Sequence, residues 1–230
     1  MKIAIMQPTY LPWAGYFKMI MDVDKFIFLD DVQFAKRSWQ QRNKIILNGK
    51  EKLLTVPVLN SGKQFQKIKD VSINTDDDWV KSHIMTIEQS YRKHPYFREF
   101  YPIVKSTFEK SVDNLCDINI NFIKDTLNYL EIETEIIRSR DLDIYGKKSQ
   151  YLYDICKYFG ATTYLSADGS KNYLEEEQIF SENNIDVEYL NFKMLKYPQL
   201  NTTDFVSYLS IIDVIFNLGK NETITYLRNN

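Results

Sequence analysis

The chain reads as an α/β protein: an open, mostly parallel, Rossmann-like sheet with helices on both faces, carrying an inserted β-hairpin and helical region. Three observations predict this. Strand and helix signals alternate over the first 30 residues, they alternate again after residue 133, and between them a hairpin signal leads into a run of helical periodicity. Alternation of this kind places strands side by side in one direction with helices as crossovers. The expected organisation is one domain over 1–230, with the hairpin and helices of about 42–130 as the insertion.

The elements follow in order. Ile3–Met6 is a short apolar run and reads as a buried strand, and the apolar segment Phe17–Asp22 belongs to the helix after it. Lys25–Leu29 is the second strand, closing on Asp30-Asp31. Two β-rich runs between Arg42 and Val58 flank Asn48-Gly49, a strong two-residue hairpin signal because both positions tolerate positive φ. Ile68–Ile73 alternates like one further strand of that antiparallel element. From Asp77 the period becomes helical, with Trp79, Val80, His83, Ile84, Ile87 and Tyr91 on one face and Pro95 ending the run. Tyr96–Phe108 and Leu115–Leu130 continue as helices. Glu135–Ile137, Thr162–Leu165 and Val187–Tyr189 read as strands. Tyr151–Phe159, stopped by Gly160, and Lys171–Asn183 read as helices, as does Tyr208–Leu218, closed by Gly219 and followed by a short helix to the C-terminus.

Composition narrows the function. At 44% hydrophobic and 26% charged residues the chain is foldable throughout, and its net charge of −2 gives no general attraction to nucleic acid or an anionic membrane. Cys116 and Cys156 lie far apart in helical contexts with no metal-ligand spacing, so they read as reduced, buried thiols of a cytoplasmic protein. No apolar run approaches the ~18 residues of a membrane span. His83 and His94, the two histidines of the chain, sit in helical contexts that suit structural roles. No DNA or integral-membrane partner is expected, a homodimer stays open, and the sequence names no cofactor and no metal.

The densest side-chain chemistry lies in the loop after the first strand. Gln7, Thr9, Tyr10 and Trp13 occupy it between Pro8 and Pro12, where α/β sheets bind ligands beyond the carboxyl ends of their strands. It is neither a G-x-G-x-x-G nor a G-x-x-x-x-G-K-[ST] phosphate loop. The alternative is scaffolding, with the prolines shaping the turn and the aromatics packing. Asp30 and Asp31 follow the second strand at the equivalent edge and are candidates for a base or a ribose-binding acid, against a role as turn or cap residues. Gln33, Lys36, Arg37, Arg42 and Asn43 form a run of amides and cations interleaved with Phe34 and Trp39. Guanidinium groups bind phosphate or carboxylate bidentately, and an adjacent aromatic can stack on a base or sugar. Ser166 to Lys171, with Tyr173 one turn on, is a small-residue turn before a helix, which fits an anion site or a capped turn. Asp213 sits inside an apolar helix and needs a partner, for which the basic run is the nearest candidate in kind.

These segments together resemble the WbqC-like protein family. Gln7-Pro8-x-Tyr10-Leu11-Pro12-Trp13-x-Gly15-Tyr16-Phe17, then Leu29-Asp30-Asp31-Val32-Gln33-Phe34 and Trp39-x-x-Arg42-Asn43, look like its N-terminal signature. Tyr164-Leu165-Ser166 with Gly169 and Tyr173-Leu174, Tyr197-x-Gln199, and Ser210-Ile211-Ile212-Asp213 match its later blocks. The resemblance runs from residue 3 to about 219, with Ala167 where the family's pattern has Gly. It implies a setting in bacterial O-antigen and other surface-polysaccharide assembly, and a glycyl or other aminoacyl transfer to an amino sugar. The opening strand–loop–helix is also similar in outline to nucleotidyltransferase-like folds that activate carboxylates with ATP, but their histidine pair is missing, since neither Tyr10 nor Trp13 replaces it as an acid.

The combined expectation is an N-acyl (glycyl or aminoacyl) transferase acting on a nucleotide-linked amino sugar, with an activated acyl donor. Asp30 or Asp31 would be the base. Lys36, Arg37 and Arg42 would hold diphosphate, and Gln7, Gln33 and Asn43 would orient substrate, with Thr9, Tyr10, Trp13, Ser166, Lys171 and Tyr173 completing the site. Two rivals stand beside it: a nucleotidyl- or glycosyltransferase using the same phosphate-binding surface, and a non-catalytic scaffold subunit of a glycan assembly complex.

Overall fold

A five-stranded, wholly parallel sheet forms the frame of the molecule, in the order β5-β2-β1-β6-β7. The computed structural model describes residues 1–110, 113–170, 179–200 and 202–230. The sheet strands are β1 (Lys2–Met6), β2 (Lys25–Phe28), β5 (Glu135–Arg138), β6 (Thr163–Ser166) and β7 (Asp186–Tyr189). Helix α1 (Ala14–Met21) joins β1 to β2, and α5 (Lys148–Tyr158) joins β5 to β6. Between β2 and β5 lie the hairpin β3 (Arg42–Leu47)/β4 (Lys50–Thr55) and the helices α2 (Trp79–Tyr91), α3 (Phe97–Glu109) and α4 (Leu115–Leu130). The last helix, α6 (Ile211–Asn229), bends at Gly219, whose φ of 72° and ψ of −176° are non-helical.

Period-two alternation sorts the sheet's side chains onto two cores. Ala4, Phe26, Phe28 and Leu165 face the larger core, shared with α1, α4, α6 and the inserted helices. Ile3, Ile5, Ile27 and Tyr164 face the other, filled by Tyr151, Leu152, Ile155 and Cys156 of α5. Burial on both faces explains why these strands read as continuous apolar runs rather than as alternating ones. The α2 stripe forms as its spacing predicts, with Trp79, His83, Ile84, Ile87 and Tyr91 all buried. Asn48 and Gly49 turn the hairpin with φ of 51° and 75°, the positive values a type I′ turn requires.

One expected strand is absent. Ile68–Asp70 forms a 3-10 turn, and the segment around it makes isolated bridges, Gln33 with Lys67, Val58 with Ile73 and Ser72 with Asn114. The alternation at 68–73 has another cause: Ile68, Val71 and Ile73 plug the larger core from an irregular segment, anchored where Ile68 N–H donates to the Val32 carbonyl and Lys69 N–H to the Asp30 carbonyl. The helix expected over Lys171–Asn183 falls largely on residues outside those described, and Ser181–Asn183 is a 3-10 turn.

Strand order sets the place for a site. From β1 the chain moves outward to β2 and β5, then returns to the opposite side of β1 with β6 and continues to β7. The connections therefore diverge beyond the carboxyl ends of β1 and β6, the topological switch point at which open α/β sheets form their binding crevice.

Candidate functional site

The loop after β1 is held from several sides by amides. Asn43 Nδ2 donates to the carbonyls of Tyr10 and Leu11 (3.2 and 2.7 Å), and Asn119 Nδ2 donates to those of Pro8 and Gln40 (3.3 and 2.7 Å). Tyr16 OH donates to the Gln7 carbonyl, Ile211 N–H to that of Pro12, and Tyr10 N–H to the Trp39 carbonyl. A loop with two prolines and this many satisfied carbonyls is preorganised. Its side-chain tie to the next loop is Gln40 Nε2 donating to Gln7 Oε1 at 2.6 Å, while Gln40 Oε1 accepts from Ala35 N–H.

Two chambers open around this frame. The first, about 340 Å³, lies at the switch point, where Gln7, Ser38, Gln40, Ser166 and Ala167 meet the apolar side chains of Ile5, Leu29 and Leu152. The second, about 350 Å³, is lined by Trp13, Tyr16, Asn43, Lys44 and Tyr208. Met6, Thr9 and Trp39 belong to the walls of both. Ser166, at the carboxyl end of β6, is 1% exposed and its hydroxyl has no hydrogen-bond partner among the described residues. An unpaired buried hydroxyl in the wall of a cavity is a polar group awaiting a ligand or a water. No carboxylate, histidine or cysteine lines either chamber among the described residues.

A separate polar network stands at the carboxyl ends of β2 and β5. Asp30 is fully buried and accepts from Arg138 Nε (2.8 Å), Arg140 Nε (2.6 Å) and the Arg140 backbone N–H (3.1 Å). Burial raises the Asp30 carboxyl, and the hydrogen bond from Arg138 with the charges of Arg140 and Arg138 more than offsets it, leaving the pKa below the ordinary value. Cys116 lies against both guanidinium groups, its thiol pushed up to about 12 by burial and by the Asp30 charge. Next to it, Asp31 accepts from Ser139 Oγ (2.6 Å) and Tyr151 OH (2.9 Å).

The expected site residues therefore divide. Gln7, Thr9, Trp13, Asn43 and Ser166 line the chambers. Tyr10 does not: its ring is 1% exposed, and its hydroxyl meets Nδ1 of His83 at 2.7 Å inside the insertion's core. Asp30 is not among the lining residues of either chamber and anchors two arginines, and Asp31 sits beside it. Lys36 and Arg37 are exposed on the loop between the lining residues Ala35 and Ser38. Arg42 is half-buried at the start of β3, and Gln33 is exposed, with Nε2 3.5 Å from the Gln64 carbonyl. Lys171 and Tyr173 lie outside the described residues. Among the described residues Asp213 takes no cation; it accepts from Tyr91 OH (3.0 Å), Tyr197 OH (2.6 Å) and Gln199 Nε2 (3.0 Å), three neutral donors.

Sequence reasoning missed Gln40, Lys44 and Tyr208 of the chambers, and Arg138, Ser139, Arg140 and Tyr151 of the network. The Arg-Ser-Arg triplet had a usable signal, since it directly follows the Glu135–Ile137 strand at the edge where ligands bind. Tyr208 had none, because its place depends on where the long segment after β7 returns. Among the described residues no group of three or more His, Cys, Asp and Glu side chains gathers as a metal-ligand set, and no helix is long and apolar enough to cross a membrane.

The chain is 34% identical over 229 residues to the uncharacterized protein Rv1507c of Mycobacterium tuberculosis, covering 99% of this chain and 97% of that one. No solved structure matches it. The family model for WbqC-like proteins matches residues 7–225, from the glutamine that opens the first chamber to the last turns of α6, and the chain belongs to the WbqC-like protein family.

Proposed function

We propose that this protein is a transferase of bacterial surface-polysaccharide assembly that acylates the amine of a nucleotide-linked amino sugar, with a glycyl or other aminoacyl group as the acyl unit. The observation that carries the reading is the chamber at the β1/β6 switch point, apolar with a few polar groups, in whose wall the Ser166 hydroxyl has no partner among the described residues. Gln7 and Ser166 give it neutral donors and acceptors of the kind that hold sugar hydroxyls, beside the Gln40 and Ser38 groups that hold the loops together.

In such a reaction the amine nitrogen attacks the acyl carbonyl, the donor's leaving group departs, and the amine's proton passes to a base. Of the two aspartates, Asp31 is the better proton acceptor, because Asp30 is committed to two guanidinium groups. Asp31 stands two residues beyond Leu29, and its partner Tyr151 stands one before Leu152, both apolar lining residues of the first chamber. Asp30 then acts as a positioning residue that holds Arg138 and Arg140 beside it.

The test is an acylation assay with a panel of nucleotide-linked amino sugars and an activated glycyl donor, read by product mass. The reading expects an amide product, and a loss of about 10²-fold or more in rate in Asp31→Asn. Absence of product with every acceptor and donor would overturn it. A second reading, ligand binding without catalysis, is favoured by the lack of a carboxylate, histidine or cysteine in the chamber walls among the described residues; it expects nucleotide-sugar binding with no turnover.

A further inference from the structure

We infer that the second chamber is the seat of the nucleobase, so that one nucleotide-sugar spans both chambers past Thr9 and Trp39. This deepens the proposed function and rests on it. Trp39 presents a large aromatic face, 52% exposed, between the chambers, although burial of a tryptophan face is strongly favourable when a partner exists. Tyr208 is 56% exposed on the same chamber, and its ring lies 5.3 Å from that of Trp13 at 59°. Tyr208 also holds φ at 57°, a left-handed backbone that costs free energy for a non-glycine residue and is typical of positions fixed for a ligand.

The polar groups decide between a base and a sugar ring. A pyranose needs several free hydrogen-bonding groups around its hydroxyls, and this chamber has spent its own. Asn43 Nδ2 donates to two backbone carbonyls, its Oδ1 accepts from Lys44 N–H, and Tyr16 OH donates to Gln7. What remains is aromatic surface, the Thr9 and Tyr208 hydroxyls, and the Lys44 ammonium, which is paired with Glu51 at 2.8 Å on the surface, an exchangeable contact. Aromatic faces with one cation suit a stacked planar base followed by phosphate. Among the described residues, the Ser166 hydroxyl and the Gln7 Nε2 group are unengaged and lie in the first chamber, where the sugar belongs.

The test is titration of the full chain with uridine and guanosine 5′-monophosphates, with methyl β-glucopyranoside as the sugar probe, read by tryptophan fluorescence and calorimetry. The expected result is saturable binding of at least one monophosphate, weakened about 5- to 100-fold in Trp39→Ala and in Tyr208→Ala and largely kept in Trp39→Phe. Both side chains are more than half exposed, so their removal spares the core. No saturable monophosphate binding, wild-type affinity in both alanine variants, or glucoside binding that depends on the same two aromatics would each overturn the assignment. A nucleotide-linked amino sugar titrated in parallel separates the failures: binding indifferent to Trp39 and Tyr208 removes the base chamber and leaves the transferase reading standing, whereas no binding at all removes both.

Discussion

Gln40 donates to Gln7 across 2.6 Å, and this side-chain contact ties the loop after β1 to the loop that carries Trp39. Both amides line the first chamber, so the same pair sets the chamber's shape and offers its polar surface. Gln40 is 3% exposed, and replacing it with Leu leaves Oε1 of the half-buried Gln7 and the N–H of the exposed Ala35 without their partner. The expected cost is about 1–3 kcal/mol in urea unfolding, together with weaker nucleotide-sugar binding. Wild-type values for both would show that the two loops are held by backbone contacts alone.

The neighbouring aspartates are expected to separate cleanly. Asp30→Asn removes the charge that two guanidinium groups share, and those groups keep 22% and 24% side-chain exposure, which softens the loss. A destabilisation of about 2–4 kcal/mol follows, below the range for fully buried pairs. Asp31→Asn, half-buried beside it, should melt near wild type and lose acylation. Thermal melts of the two variants decide this, and equal destabilisation in both would merge them into one structural unit.

Gly15 opens α1 beneath the Trp13 indole. A Cβ built there would lie 2.2 Å from the ring, so Gly15→Ala must displace Trp13, a wall of the second chamber. The expected outcome is a loss of about 1–3 kcal/mol and a changed tryptophan emission spectrum, with an unchanged spectrum counting against the packing described.

Acid should weaken the fold in two stages with opposite help from a third group. Burial lowers His83 to about 4, with its backbone hydrogen bond to Thr55 and the Lys52 charge as smaller influences. The unfolded chain, with histidine near 6.5, binds that proton first, so about 3 kcal/mol is lost as pH falls from about 6.5 through 4. His94, also lowered by burial, adds in the same direction. Asp30, depressed in the fold, contributes stability present above about pH 4 and lost below it. Asp213 works in reverse. Burial raises its pKa against the hydrogen bonds from Tyr197, Tyr91 and Gln199, so its contribution is full below about pH 4 and falls as pH rises through the folded value. Urea denaturation from pH 4 to 8 should show the decline towards acid reduced to the His94 share in His83→Gln and the opposing decline removed in Asp213→Asn. Unaltered slopes in both variants would contradict these assignments.

Much of the fold was legible because it depends on local signals. Asn48-Gly49 states its own turn, the α2 stripe states its buried face, and Gly219 marks the bend in α6. The strand read at 68–73 failed because alternation cannot distinguish a pleated strand from an irregular segment whose apolar residues plug a core. For the candidate site, the switch-point loop was visible in Gln7, Thr9 and Ser166, since position at a strand's end is a sequence property. Tyr10 was misplaced because nothing local reveals that His83, 73 residues away, meets its hydroxyl. Asp213 was given a cation because burial of a carboxylate is readable, whereas Tyr91, Tyr197 and Gln199 as its partners are a tertiary fact.

The central claim is that the switch-point chamber receives the amino sugar of a nucleotide-linked substrate, and calorimetric titration of a uridine-diphosphate-linked amino hexose into wild type and Ala167→Phe tests it most directly. Ala167 is a half-buried wall residue of that chamber at the margin of the larger core, so a phenyl ring there narrows the cavity, and the melt shows whether the core tolerates it. The account predicts saturable binding to wild type and its loss in a variant that melts normally. Equal binding by the two proteins, or none by wild type, would contradict it.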